Sequence, residues 1–288
     1  KTFMMIVASM EMRRLGLRSK IMHAVPNHLL EQYATAFYRA YPGAKLLLVN
    51  SKGLSKQRRA ETLARIATGD WDAIIITHSA FGRIPIDDAT FADFINRQIE
   101  VLDDFLWTLD KKDPDERLSI KEIQKHKERF LAKLEEREAK VRRHQDSLGL
   151  TWEQLGVDML FVDEAHEFKN LWFPTKMNHL PGIGGSESGR AMDMFIKTQW
   201  LTRRCVCGRL FGLRQQCGCV RSKRVEGGSV VFATGTALAN SVSELYTMQR
   251  YLQYDTLIEL GISHFDAWAK QFGDTVTLLE MKPSGSGW

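Results

Sequence analysis

Two adjacent carboxylates, Asp163 and Glu164, follow the apolar run Met159 to Val162 and precede Ala165 and His166. A continuous apolar run suits a strand covered on both faces, and ligands of parallel sheets gather beyond the carboxyl ends of such strands. Two acids at that place suit metal-assisted phosphate chemistry, in which one holds the shell of a Mg²⁺ ion and its neighbour polarises an attacking water. The same two residues would also serve as the cap of a following helix, so the pair alone leaves both readings open. A second cue is Lys1-Thr2 ahead of an apolar helix. These match the last two letters of a phosphate-binding loop, G-x-x-x-x-G-K-[ST], in which the lysine reaches the terminal phosphates and the hydroxyl reaches Mg²⁺. The glycines of that loop are not among these residues.

A third cue is Cys205, Cys207, Cys217 and Cys219, two C-x-C pairs with nine residues between them. The spacing is tighter than the usual C-x₂₋₄-C of structural zinc, and four thiolates around Zn²⁺ stand beside free thiols as readings of it. The cysteines lie among Arg203, Arg204, Arg209, Arg214, Arg221, Lys223 and Arg224, with no acid between. Those seven charges exceed the net +5 of all 288 residues. The segment could bind a phosphate backbone by counterion release, or form a solvated basic loop.

The elements that would position these groups alternate. Lys20 to Val25, Lys45 to Val49 and Ala73 to Thr77 read as strands, and Asn27 to Arg39 and Ser55 to Thr68 as helices, the second closed by Gly69. Alternation of this kind indicates a parallel sheet wound on both sides. Phe3 to Ala8 opens a helix apolar almost all round, expected to be buried and stopped at Gly16. His23, His28 and His78 fall at or near strand ends and are expected to be structural. From Asp87 about sixty charged residues intervene, where Ser119 and Glu122 form a capping box and Ile120, Ile123, Phe130, Leu134 and Val141 a narrow apolar stripe. They read as an inserted helical hairpin, residues 88–150, whose mixed charges favour a solvated decoration over an arm for DNA or another domain.

Further on, Leu180 to Gly185 reads as a flexible loop and Ala191 to Leu201 as a helix. Ser229 to Ala233 is a buried strand delivering Thr234-Gly235-Thr236, and Ser241 with Glu244 caps a helix through about Leu252. Thr275 to Leu279 could form a last strand, and the chain reads as cut at both ends. With 44% hydrophobic residues it can bury a large core. No apolar run approaches the roughly 18 residues that span a bilayer, so a cytoplasmic protein with no membrane partner is expected.

The ordered set Lys1-Thr2, Val25-Pro26-Asn27, Asp163-Glu164-Ala165-His166 and Thr234-Gly235-Thr236 resembles the first RecA-like lobe of a superfamily-two helicase. Val25 to Gln32, Ile74 to Ile86 and Phe232 to Leu252 are similar to the Swi/Snf-type DEAH-box helicase domains of mobile-element and phage proteins, which often also carry an adenine DNA methyltransferase domain. The resemblance implies an α/β fold, a RecA-like parallel sheet with helices on both faces, carrying the helical hairpin and a small Cys-rich insertion at 203–226 within one lobe over 1–288. It implies ATP and Mg²⁺ as ligands, with Lys1 on the β and γ phosphates, Thr2 on the metal, Asp163 holding the metal through water and Glu164 orienting the attacking water. His166 would link the nucleotide to the interlobe surface, Thr234, Gly235 and Thr236 would couple nucleotide state to DNA, and Pro26, Asn27 and His78 would touch the sugar-phosphate backbone. Hydrolysis would need a second RecA-like lobe in the parent chain. A non-catalytic zinc-containing nucleic-acid-binding module on an α/β scaffold is the alternative, and a phosphate-loop enzyme acting on a small molecule is another.

Overall fold

The computed structural model of the protein describes residues 1–109, 114–142, 149–177, 188–203, 228–236, 238 and 241–273. Its elements run α1 (Thr2–Arg14), β1 (Ile21–Val25), α2 (Leu30–Ala40), β2 (Leu46–Val49), α3 (Arg59–Thr68), β3 (Ala73–Thr77), α4 (His78–Phe81), α5 (Asp88–Trp107) and α6 (Pro114–Arg142). They continue with β4 (Met159–Asp163), α7 (Gly189–Arg203), β5 (Val230–Ala233), α8 (Ser243–Glu259) and α9 (Phe265–Phe272). The strands form one five-stranded sheet in the order β2-β3-β1-β4-β5, and every pairing in it is parallel. This is the expected RecA-like α/β arrangement. After β3 the chain crosses from one side of β1 to the other, so a crevice opens beyond the carboxyl ends of β1 and β4.

Alternate side chains of the central strands supply two separate cores, because successive residues of a strand point to opposite faces. Met22, Ala24, Ile74, Ile76, Leu160 and Val162 pack with α3 to α8, whereas Ile21, Val25, Ile75, Met159 and Phe161 pack with α1 and α2. Every residue of β1, β3 and β4 is buried, and each large apolar side chain there contributes roughly 1.5–3 kcal/mol. On α2 the buried set Leu30, Tyr33, Ala34 and Phe37 has the spacing of one helical face.

Three helices depart from the sequence reading. The first, α1, is not buried all round: Met5, Ile6 and Ser9 face the core while Phe3 and Met4 stay exposed, because only α2 and the sheet cover it. It does stop at Gly16, whose φ of 70° suits a residue lacking Cβ. The second, α6, begins at Pro114, and Ser119 lies buried within it instead of capping it. The third, α8, begins at Ser243; the Ser241 hydroxyl accepts from the Ser243 amide, Glu244 turns to another partner, and the helix continues past Leu252 to Glu259 across a kink at Gln253. Gly69 ends α3 for a reason of space, since a Cβ there would stand 2.2 Å from Nε1 of Trp71.

The inserted hairpin is no solvated decoration. Phe94, Ile95, Leu102 and Phe105 of α5 and Ile123 and Phe130 of α6 belong to the larger core, with Ile120 and Leu134 packed against it. Lys127 pairs with Asp103 at 2.6 Å across the hairpin, and the Arg137 guanidinium lies 4.3 Å from the Phe91 ring. Mixed charge misled because the charged positions form the outer face while a sparse stripe suffices to dock. The side chain of Val141, the readings at Leu180 to Gly185 and Thr275 to Leu279, and the four cysteines lie outside what the structure describes.

His23 is fully buried on β1, stacked on Phe161 at 4.9 Å and bonded through Nδ1 to the Tyr33 hydroxyl at 2.9 Å. Burial depresses its pKa from 6.5 to about 3. The folded ring therefore refuses a proton that the unfolded chain accepts below about 6.5, so its share of stability is complete above that pH and is lost as pH falls toward 3. Urea midpoints measured from pH 7 to 4 should fall, and His23→Gln should flatten that dependence. Phe130→Ala should cost about 3–5 kcal/mol with unfolding still a single transition, as a hairpin integral to the core requires.

Candidate functional site

The amino end of α1 meets the mouth of β4. Lys1 Nζ lies 2.9 Å from Asp163 Oδ1 and also hydrogen-bonds Glu164 Oε1, so the opening lysine and the acidic couplet share one corner although they are far apart in the chain. Asp163 is buried, its side chain 3% exposed, whereas Lys1 and Glu164 remain partly open to solvent. Burial lowers the Lys1 pKa, but the hydrogen bonds to Glu164 and Asp163 and their charges outweigh it and leave the ammonium above the ordinary lysine value. Thr2 follows in the first helical turn, where amides lack intrahelical partners and favour an anion. Glu164 is the one non-glycine residue with a positive φ among those described, at φ 50° and ψ 49°, and its amide donates to Asp163 Oδ1 at 3.0 Å. Such strain persists only where the surroundings hold it, and it clusters at functional sites.

The segment after the couplet ties this corner to the rest of the lobe. His166 Nδ1 lies 3.0 Å from the Thr234 hydroxyl and 3.3 Å from Glu164 Oε2, joining the mouths of β4 and β5. The Thr236 amide donates to Thr234 Oγ1 at 3.0 Å, and Gly235 and Thr236 are exposed beside it. Glu167 accepts from Arg190 of α7 at 2.9 Å and stands 3.4 Å from His78 Nδ1. Lys169 pairs with Glu244 of α8 at 2.8 Å.

A separate polar edge lies at the mouths of β1, β2 and β3. Asn27 Oδ1 accepts from the Ser79 hydroxyl at 2.8 Å, that hydroxyl meets Ser51 Oγ at 2.5 Å, and Arg83 donates to the Ser51 carbonyl at 2.7 Å. Pro26 is buried at the root of this edge, and His78 is buried beneath it, turned toward Glu167 and the Phe168 ring. Burial pushes the His78 pKa down. A family model described as a probable helicase domain matches residues 1–283. The chain belongs to that helicase family. No curated protein matches it.

In this helicase domain Lys1, Asp163, Glu164, His166 and Thr234 converge, while Pro26 and Asn27 line the neighbouring edge and His78 bridges the two through Glu167. Among the described residues no group of three or more His, Cys, Asp or Glu side chains could by itself hold a metal ion. The couplet can supply one or two ligands, and the remainder of a shell would come from phosphate oxygens and water, which is how Mg²⁺ is commonly held. No described helix is long and apolar enough to cross a membrane. Glu167, Lys169, Ser51, Ser79, Arg83 and Arg190 were not singled out in the sequence. Glu244 reads in the sequence as a capping residue, whereas its carboxylate pairs with Lys169.

The Lys169–Glu244 pair has a testable weight. Both side chains are largely buried, so removing the ammonium strands much of a carboxylate's charge. Lys169→Met should cost about 1–3 kcal/mol in urea unfolding, and adding Glu244→Gln should recover most of it.

Proposed function

We propose that this helicase domain is the ATP-binding lobe of a DNA-dependent ATPase of superfamily two, of Swi/Snf DEAH-box type, acting as a helicase or translocase with a second RecA-like lobe. The observation that carries the reading is the Lys1 ammonium seated against Asp163 and Glu164 at the mouth of β4. A buried carboxylate needs a cation, and Lys1 supplies one in this arrangement. Asp163 and Thr2 are the residues that would hold Mg²⁺, which would supply charge neutralisation of the phosphates; Lys1 would bind the β and γ phosphates and Glu164 would orient the attacking water. These groups are few and preplaced, which is what phosphoryl transfer asks of a protein.

His166 and Thr234 carry the state of this corner toward Gly235 and Thr236, because the same imidazole contacts both Glu164 and Thr234. The polar edge of Asn27, Ser51 and Ser79, a hydrogen-bonded set of hydroxyls and an amide side chain at the strand mouths, suits the sugar-phosphate backbone of DNA. His78 serves there as the link back to Glu167. Zn²⁺ on Cys205, Cys207, Cys217 and Cys219, and a methyltransferase domain elsewhere in the parent protein, belong to the same proposal.

Glu164→Gln in the full-length protein should bind ATP normally and lose DNA-stimulated turnover by about 100-fold or more, as expected for loss of the group that activates the nucleophile. Equilibrium nucleotide binding measured beside steady-state hydrolysis separates the two effects. Turnover at the wild-type rate would overturn the role given to Glu164.

A further inference from the structure

The left-handed backbone at Glu164 needs something to hold it, because a residue carrying a Cβ prefers other conformations. Its φ is tied by its own amide, which donates to Asp163 Oδ1 at 3.0 Å. Its ψ is tied by its carbonyl, which accepts from the Glu167 amide at 3.0 Å and so opens the short 3₁₀ helix Ala165–Phe168. The direction in which the Glu164 side chain leaves the strand mouth therefore depends on where Glu167 sits.

Glu167 is gripped twice by one guanidinium. Arg190, in the first turn of α7, donates from Nη1 to Glu167 Oε2 at 2.9 Å and from Nη2 to the Glu167 carbonyl at 3.1 Å. A hold on main chain and side chain together fixes the peptide as well as the carboxylate. The same guanidinium lies 5.4 Å from the Phe168 ring, whereas His78 stands on Oε2 at 3.4 Å, a weaker contact. Phe168 itself is buried, and the Tyr251 hydroxyl donates to its carbonyl at 3.0 Å, so the far end of the turn is anchored in the core. Arg190 anchors it from the solvent side. The Arg190 and Glu167 side chains are 48% and 31% exposed, and an ion pair so open to water adds little to folding stability. What the pair offers is geometry, since a guanidinium presents its donors in a rigid fork.

We propose that Arg190 is a positioning residue for Glu164: by clamping Glu167 it fixes the turn that aims the Glu164 carboxylate, and with it the place of the attacking water. This rests on the role given to Glu164 above and deepens it. A misplacement of about 1 Å at such a group costs on the order of 100-fold in rate, while Lys1 and Thr2 lie outside the grip of Arg190.

Arg190→Met in the full-length protein should lower kcat for DNA-stimulated ATP hydrolysis by about tenfold or more, with ATP affinity and the urea midpoint unchanged. Arg190→Lys, which keeps the charge but cannot span both oxygens, should recover only part of the rate; should the methionine variant fail to fold, it carries the same comparison. Placed on Glu164→Gln and read by single turnover, Arg190→Met should cost less than about twofold, because a residue that acts through Glu164 then has nothing left to aim. A residue that only supported the fold would slow both backgrounds alike. Wild-type turnover in Arg190→Met, equal losses in the two backgrounds, or a fall in ATP affinity as large as the fall in rate would each overturn the assignment. Wild-type turnover in Glu164→Gln would overturn the role of Glu164 and this inference with it, whereas loss in Glu164→Gln beside full activity in Arg190→Met would overturn this inference alone.

Discussion

A carboxylate buried at the carboxyl end of β4 is the constraint around which this lobe is arranged. Asp163 ends a strand whose every residue is inside, so its charge has little water to rely on and must be met by a cation and by amides. The Lys1 ammonium meets it from α1, and the Glu164 amide meets it from the next residue, at the cost of a left-handed backbone there. That turn is what directs the Glu164 side chain outward beside Lys1. The strand cannot deliver both acids to one ligand without it, because successive side chains of an extended chain point to opposite faces.

From this corner the segment 164–176 distributes contacts to nearly every layer around it. His166 reaches Thr234, Glu167 reaches His78 and Arg190, Lys169 reaches Glu244, Trp172 stacks on His126 of the hairpin at 3.6 Å, and Thr175 donates to Asp266 of α9 at 2.5 Å. Contacts from this one segment thus reach the end of β5, α4, α7, α8, α9 and the insertion. Packed side chains and hydrogen bonds with few alternative arrangements are the physical means by which a small local change moves whole elements. Arg250 of α8 joins the same segment, its Nη1 donating to the Trp172 carbonyl at 2.9 Å.

The hairpin shows how composition can mislead. Its charges are mixed, yet α5 and α6 bury Phe94, Ile95, Leu102, Phe105, Ile123 and Phe130 in the larger core. A helix needs only a few apolar residues per two turns to dock, so a long charged helix and a well-packed one share much the same composition. The start of α6 was misread for a related reason. Ser119 and Glu122 have capping spacing, but Pro114 tolerates the first helical turn, and the helix had already begun.

The strands, their burial on both faces and the order of Lys1, Asn27, Asp163, His166 and Thr234 along the chain were all legible from the residues alone, because periods of two and 3.6 are local properties. The likeness of the ordered set to a helicase lobe was legible in the same way. Tertiary structure decided what lies beside what: that β4 pairs with β1 and β5, that Lys1 meets an acid remote from it in the chain, that His78 turns toward Glu167 while Ser79 bonds Asn27, and that Lys169 and Glu244 form a pair. It also decided that Arg250 is buried against the Trp172 carbonyl. Such facts depend on contacts between residues remote in sequence, which no local period encodes, and they arise only when both faces of the sheet are covered and each buried charge has found, or lacks, its partner.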